Sequence, residues 1–238
     1  MSLVTAEHTV KAFDLDLQGL MRMVAEMGGL VERQLAEAFD ALSKRDRERG
    51  KRVVSTDATI DSQQRDIERR AIETIATRQP VAVDLRAVVG VLRIATDIER
   101  IGDLAKNIAK RVLDLDGALM PRRSLLGVGH MTMIALGQFR DVLDSYAERD
   151  SSKAFRVWRR DKELDSIYAS LFRELIGHMM EDPGSIAYGL HLLFCAKNLE
   201  QVGDHAANIA ETVHYIVEGR TFTEAAAARE TFIAAAAV

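Results

Sequence analysis

Four short segments of the sequence each place two acidic residues four positions apart. They are Asp57 with Asp61, Glu99 with Asp103, Asp161 with Asp165, and Glu200 with Asp204. Residues four apart share one face of a helix, so each pair would hold two like charges side by side at a cost of about a few tenths of a kcal/mol. Such pairs indicate a bound cation, protonation of some of the carboxylates, or basic neighbours that offset the repulsion.

The chemistry that these residues favour is the binding of metal ions. Carboxylate oxygens are the ligands of hard cations such as Mg²⁺, Mn²⁺ and Ca²⁺, and they also bind iron. The eight acidic residues are therefore predicted metal ligands. The expected cofactor is a divalent or trivalent metal ion, with Fe, Mn, Mg or Zn as candidates and its identity not specified by the sequence. The alternative is a solvated acidic surface, in which Arg100, Lys106 and Lys162 supply salt-bridge partners.

The elements that must position these acids are helices. The chain has 238 residues, of which 47% are hydrophobic and only three are proline, a composition that favours long helices over strands. Asp84 and Ser185 are expected as helix N-caps, and Gly28-Gly29 as a point of strain in the first helix. Six helices are predicted, at about residues 5–43, 47–77, 84–113, 124–149, 151–180 and 185–218.

The six helices form an internal repeat. Residues 27–72 match the stretch 104 positions later, and the shift becomes 101 after the turns at Pro80 and Pro183. The register changes only at a predicted turn, where length is tolerated, so chance similarity between Ala-rich helices does not explain it. Matched positions include Gln34 with Gln138, Arg45-Asp46 with Arg149-Asp150, Asp57 with Asp161, Glu99 with Glu200, and Gly102 with Gly203.

The repeat predicts an all-α fold of two tandem three-helix bundles, each with spectrin-like up-down-up helices. The expected domains are residues 1–116 and residues 117–220, followed by an Ala-rich tail at 221–238. A linker with Gly117 and Pro121 separates the two bundles.

The acidic pairs are expected to converge into one cluster per bundle. In each hairpin the two pairs lie at similar distances before and after the proline turn, so antiparallel helices bring them to one level. Asp57 and Asp161 interrupt apolar stripes, whereas Glu99 lies opposite the main apolar face of its helix, which predicts clusters at the edge of the core. Gly102 and Gly203 either allow close helix packing or let a ligand approach.

Composition excludes several classes of protein. The net charge is -4 and no basic block occurs, so no nucleic-acid partner is predicted. The single Cys195 rules out an intrachain disulfide and a cysteine-based zinc site, and its apolar surroundings predict a buried thiol. No apolar run reaches signal-peptide or membrane-span length, so we expect a cytoplasmic protein.

No catalytic residue is predicted, and the chain is not expected to be an enzyme. It contains no Gly-x-Ser-x-Gly motif, no phosphate-cradling glycine-rich loop and no plausible Cys/His pair. Two alternatives stay open. One is a carboxylate-bridged, metal-dependent helical-bundle enzyme, which needs an open coordination position and a nearby base, although no histidine repeats between the halves. The other is a passive helical scaffold.

The segments around Glu99 and Glu200 carry a paired signature. They read DIERIGDLAKNIAK at residues 97–110 and NLEQVGDHAANIAE at residues 198–211. These segments resemble the two motifs of the PhoU family, and the resemblance extends over residues 13–220. The second copy departs from the pattern at Gln201, where the first copy keeps Arg100.

The resemblance implies both a site and a role. It implies PhoU-like bundles, commonly dimeric, that hold surface metal clusters through the paired acidic motifs. It also implies a negative regulator of phosphate uptake and of the phosphate-starvation (Pho) response. The expected partners are a second copy of the chain, the cytoplasmic ATPase of the Pst phosphate ABC transporter and a PhoR-type sensor kinase.

Overall fold

The computed structural model describes residues 2–115 and 122–222, and these residues contain six long helices and no strand. The helices are α1 (Ser2–Lys44), α2 (Arg47–Arg78), α3 (Val83–Asp114), α4 (Arg122–Glu148), α5 (Ser151–Glu181) and α6 (Ile186–Glu218). The all-α prediction is confirmed. The predicted linker and Ala-rich tail fall largely outside the described residues, so the domain boundaries stay a prediction.

The six helices pack as two three-helix units against each other. The helices α1, α2 and α3 contact one another, as do α4, α5 and α6. The two units meet where α3 packs on α6 and α1 packs on α4, and their buried apolar side chains form one continuous core. The predicted tandem repeat is therefore present, with its halves joined through apolar contacts. No described helix is both long enough and apolar enough to cross a membrane.

The turns before α2 and α5 show the repeat in backbone detail. Arg45 and Arg149 both take a left-handed conformation, with φ of 54° and 52°. The next residues, Asp46 and Asp150, cap their helices by accepting hydrogen bonds from backbone amides of the first turn. The repeated Arg-Asp dipeptide thus encodes a sharp turn followed by an N-cap, which makes neighbouring helices antiparallel.

The predicted cap at Asp84 is wrong, and the one at Ser185 is right in position but makes no capping hydrogen bond. Asp84 lies inside the first turn of α3, because the N-cap position is Ala82, which offers no side-chain hydrogen bond. Ser185 does precede α6, but its hydroxyl donates to the carbonyl of Asp182 at 2.7 Å instead of accepting from the helix. The reason is the 3₁₀ turn at Pro183–Ser185, in which the Ser185 hydroxyl bonds back to the Asp182 carbonyl.

Glycines mark the contacts between the two units. The predicted strain at Gly28-Gly29 was wrong, since α1 runs through both residues without a break. A Cβ on Gly28 would lie 2.8 Å from Leu143 Cδ1 of α4, so glycine here permits close packing of the two repeats.

Cys195 is fully buried in α6, as predicted.

Candidate metal centres

The structure gathers the eight predicted ligands into two groups, one between the helices of each hairpin. The first cluster lies between α2 and α3 and consists of Asp57, Asp61, Glu99 and Asp103. The second cluster lies between α5 and α6 and consists of Asp161, Asp165, Glu200 and Asp204. In each hairpin the acids of the two helices arrive at the same level, as their distances from the proline turns predict.

Glycines beneath the clusters let the two helices of each hairpin approach. A Cβ on Gly102 would lie 3.2 Å from Ile60 Cδ1. A Cβ on Gly203 would lie 2.8 Å from Leu164 Cδ2 and 3.1 Å from Asp161 Oδ1. The structure thus shows close helix packing at both glycines, and the expectation that a ligand approaches there stays a prediction.

The sequence-based site missed two buried glutamines, Gln34 and Gln138. The side-chain amide of Gln138 donates to the Arg160 carbonyl at 2.9 Å, and Gln34 likewise donates to a backbone carbonyl of α2. The Oε1 atoms of both residues have no hydrogen-bond partner among the described residues. A buried acceptor left unpaired costs about 1–3 kcal/mol, so each marks a place for a donor or a cation. The sequence did carry a sign of these glutamines, because Gln34 and Gln138 occupy matching positions of the internal repeat.

The first cluster contains its own cation. Lys106 Nζ lies 2.6 Å from Asp57 Oδ2 and 2.5 Å from Asp103 Oδ1, bridging α2 and α3. Burial alone would lower the pKa of Lys106, but its hydrogen bonds to Asp103 and Asp57 outweigh burial and raise that pKa above its usual value. The guanidinium of Arg100 also lies 3.8 Å from both Glu99 and Asp103. Two basic side chains thus offset the charge of the first cluster.

The carboxyl of Glu99 shows that Lys106 and Arg100 do not fully offset the negative charge of the first cluster. Burial, followed by the charge of Asp103, raises the pKa of the Glu99 carboxyl, although Arg100 opposes the change. Its side chain is 19% exposed, which agrees with the predicted location at the edge of the core.

The second cluster brings three carboxylates together, and none of them forms an ion pair with a described residue. Oxygens of Asp161, Asp165 and Asp204 lie within 4.8 Å of one another. Among the described residues, none of these three forms an ion pair, and Asp161 Oδ1 is buried without a hydrogen-bond partner. Burial, then the charges of Asp204, Asp165 and Glu200, raise the pKa of Asp161 to about 6. The donor set is all oxygen and strongly negative, so these residues fit a hard cation.

Glu200 and His205 take other partners. Glu200 accepts a hydrogen bond from Lys197, one turn earlier on α6, and is not among the three converging carboxylates. His205 points away from the cluster, as expected from its position after Asp204, and its Nδ1 lies 2.8 Å from Asp97 Oδ1 of α3. This contact joins the two repeats.

A second surface feature lies on the same α5–α6 hairpin, nearer its proline turn. Large apolar side chains recur every four residues on both helices, and we call this set the α5–α6 apolar face. It consists of Phe172, Ile176 and Met180 on α5 and Ile186, Leu190 and Phe194 on α6, with exposed fractions from 36% to 79%. Tyr168 contacts both Phe172 and Lys197, so this side of α5 faces α6.

The first repeat keeps part of this face and lacks its phenylalanines. Ile72 and Leu85, the counterparts of Ile176 and Ile186, are also exposed, at 55% and 38%. The counterparts of Phe172 and Phe194 are Glu68 and Arg93, which lie at the matching positions of α2 and α3. An exposed cluster of large apolar residues typically marks a surface that contacts another macromolecule. The two repeats therefore share a fold and differ in what they present to solvent.

Comparison with protein families agrees with this architecture. A family model described as "PhoU domain" matches the chain twice, over residues 24–112 and 128–213. Among curated proteins, a phosphate-specific transport system accessory protein PhoU homolog from Rhizobium meliloti is 50% identical over 212 residues, covering 89% of this chain and 90% of that protein. The Caulobacter vibrioides homolog of the same name is 45% identical over 217 residues, covering 91% of this chain and 94% of that protein.

Solved structures match as well. The crystal structure of PhoU from Pseudomonas aeruginosa superposes with a TM-score of 0.84 at 35% identity, covering 87% of this chain and 100% of that one. The phosphate transport system regulatory protein PhoU from Streptococcus pneumoniae gives a TM-score of 0.82 at 31% identity, covering 88% of this chain and 98% of that one. The similarity spans both three-helix units.

Proposed function

This chain belongs to the PhoU family, and on that basis we propose that it is a negative regulator of phosphate uptake and of the phosphate-starvation response, and not an enzyme. The observation that carries the proposal is that the family match covers both repeats, while relatives at 50% and 45% identity are named as accessory proteins of phosphate-specific transport. An accessory protein of this kind is expected to act by binding other proteins, so the surfaces that could form such interfaces matter most.

We propose that the chain works in the cytoplasm, where it couples the ATPase of the Pst phosphate transporter to a PhoR-type sensor kinase. The α5–α6 apolar face supports this role, because it offers a rigid apolar surface on two packed helices. Aromatic and Met side chains are enriched at protein interfaces, and the face contains Phe172, Met180 and Phe194. A homodimer is part of the proposal, since a second copy is also a candidate partner.

We further propose that the acidic motifs bind divalent or trivalent metal ions, with Fe, Mn, Mg or Zn as candidates. Asp161, Asp165 and Asp204 would hold the ion, with Glu200 close by on α6. A bound cation would neutralise charge and link α5 to α6. The chain's own contribution is to hold three carboxylates at one level on two rigid helices, next to the α5–α6 apolar face.

The regulatory role is tested by deleting the gene and measuring reporter expression from phosphate-starvation promoters in phosphate-rich medium. We expect the reporter to be on in the deletion strain and off again when the wild-type chain is restored. Crosslinking in the same cells should capture the transporter ATPase and the sensor kinase, since transient signalling contacts are often small. Normal repression in the deletion strain, with no second family member present, would show that the chain is not this regulator.

A further inference from the structure

We propose that the two clusters are not equivalent: metal binds to the second cluster only, and the first is closed by the ammonium group of Lys106. This inference rests on the metal binding proposed above and restricts it to one of the two repeats. It departs from the sequence-based expectation that all eight acids are ligands.

The first cluster already has a cation at its centre. Lys106 Nζ contacts Asp57 Oδ2 at 2.6 Å and Asp103 Oδ1 at 2.5 Å, one oxygen from each helix of the hairpin. A metal ion that used both carboxylates would have to displace this ammonium group, whose side chain is only 19% exposed. The ion would have to replace two charge-assisted hydrogen bonds before it gained any metal–oxygen contact, so the ammonium group competes with metal for the same oxygens.

The second cluster lacks both basic residues of the first. In the repeat register, Ala207 stands where the first copy has Lys106, and Gln201 stands where it has Arg100. Lys197 bonds to Glu200; its charge also acts on Asp204, but among the described residues it forms no ion pair with the three converging aspartates. Nothing in the described part of the chain therefore takes the place that Lys106 fills in the first repeat.

Unpaired oxygens point to a ligand in the second cluster. Gln138 is 1% exposed, and its Oε1 has no hydrogen-bond partner among the described residues. This atom lies 3.3 Å from the Cβ position of Gly203, and the unpaired Asp161 Oδ1 lies 3.1 Å from the same point. Two buried acceptors that converge without a donor indicate a missing cation or water. In the first cluster Gln34 Oε1 is likewise unpaired and lies 3.2 Å from the Cβ position of Gly102, but the carboxylate beside it, Asp57, is bonded to Lys106. The two clusters therefore differ at the aspartate and its cation, and not at the glutamine.

The test exchanges the residues that distinguish the clusters. Lys106→Ala with Arg100→Gln gives the first cluster the residues of the second, and Ala207→Lys with Gln201→Arg makes the reverse change. Each full-length variant is stripped with chelator and dialysed against Mn²⁺, and bound manganese is measured by elemental analysis. We expect the first variant to bind about twice as much manganese as wild type and the second to bind none, because metal needs uncompensated carboxylates.

Single substitutions locate the metal in the wild-type background. Asp204→Asn should remove the bound manganese, whereas its counterpart Asp103→Asn should leave it unchanged. Melting temperature gives a second readout: manganese should stabilise the wild type and not the Ala207→Lys, Gln201→Arg variant. Lys106→Gln serves as a milder replacement if the alanine variant does not fold.

The outcomes separate the inference from the proposal beneath it. Equal losses of manganese in Asp103→Asn and Asp204→Asn would show that both clusters bind metal, which overturns the inference and keeps metal binding. A wild-type chain that binds no manganese, iron or zinc would overturn both. Neither result bears on the regulatory role, which the deletion strain tests separately.

Discussion

At the scale of single residues, His214 is a buried polar side chain close to the C-terminal end of α6. Its Nδ1 lies 2.7 Å from Ser151 Oγ, and its ring stacks on Phe222 with centroids 4.1 Å apart. Its Nε2 has no hydrogen-bond partner among the described residues. Burial lowers the pKa of His214, with the charge of Glu218 opposing and that of Arg220 adding to the shift.

This histidine predicts a loss of stability in mild acid. The unfolded chain takes up a proton near pH 6.5, whereas the fold resists protonation, so the unfolded state binds more protons and stability falls as pH drops below about 6.5. Replacing His214 with Asn should flatten this part of the curve, measured by thermal melting between about pH 7.5 and 5.5. The exposed His130→Asn variant is the control and should follow wild type. Parallel curves for all three proteins would show that His214 does not contribute.

At the scale of helices, the packing of α3 on α6 depends on one glycine. A Cβ on Gly90 would lie 2.3 Å from Ile216 Cδ1 and 2.5 Å from its Cγ1. Ile216 is buried in the core that the two repeats share. The two helices approach this closely because position 90 has no side chain.

Gly90→Ala is therefore expected to destabilise the chain by about 1–3 kcal/mol, because a new methyl group forces Ile216 to move in a packed core. The control is Gly177→Ala, since among the described residues no atom outside the local helix backbone lies within 4 Å of its Cβ position. That variant should gain about 0.5–1 kcal/mol, the usual advantage of Ala over Gly inside a helix. Both values come from denaturant unfolding. A stabilised Gly90→Ala variant would mean that the α3–α6 contact is looser than the structure shows.

At the scale of the whole molecule, the two repeats share a core and have different surfaces. The matched turns at Arg45 and Arg149 and the matched glutamines at positions 34 and 138 keep the two units alike. The basic residues around the first cluster and the apolar residues of the α5–α6 face make them different. Substitutions at matched positions of one repeat can therefore serve as controls for substitutions in the other.

The α5–α6 apolar face is predicted to carry partner contacts. Phe172→Ser with Leu190→Ser should weaken crosslinking to the transporter ATPase or the sensor kinase and derepress the reporter. Both side chains are about 40% exposed, so each substitution should lower the free energy of unfolding by only about 1 kcal/mol and leave the chain folded. The control places the same substitutions at their counterparts, Glu68→Ser with Val89→Ser, and should behave like wild type. Equal loss of repression in both variants would remove the special role of this face.

The sequence by itself determined the helices, the repeat and the family. Helix periodicity and proline turns are local properties, so six helices could be predicted with bounds close to those observed. A repeat register that changes only after Pro80 and Pro183 identified the tandem units, and the distances of the acids from those turns placed them at one level.

Only the tertiary structure decided which charges meet. The sequence offered Arg100, Lys106 and Lys162 as equal candidates for offsetting the acids, and the fold selects Lys106 to bridge α2 and α3. It also leaves the oxygens of Gln138 and Asp161 unpaired beside Gly203. These outcomes depend on how side chains from different helices reach across a gap of a few ångströms, which spacing along one helix does not specify. The difference between a cluster closed by an ammonium group and one open to a metal ion is therefore a property of the packed hairpins.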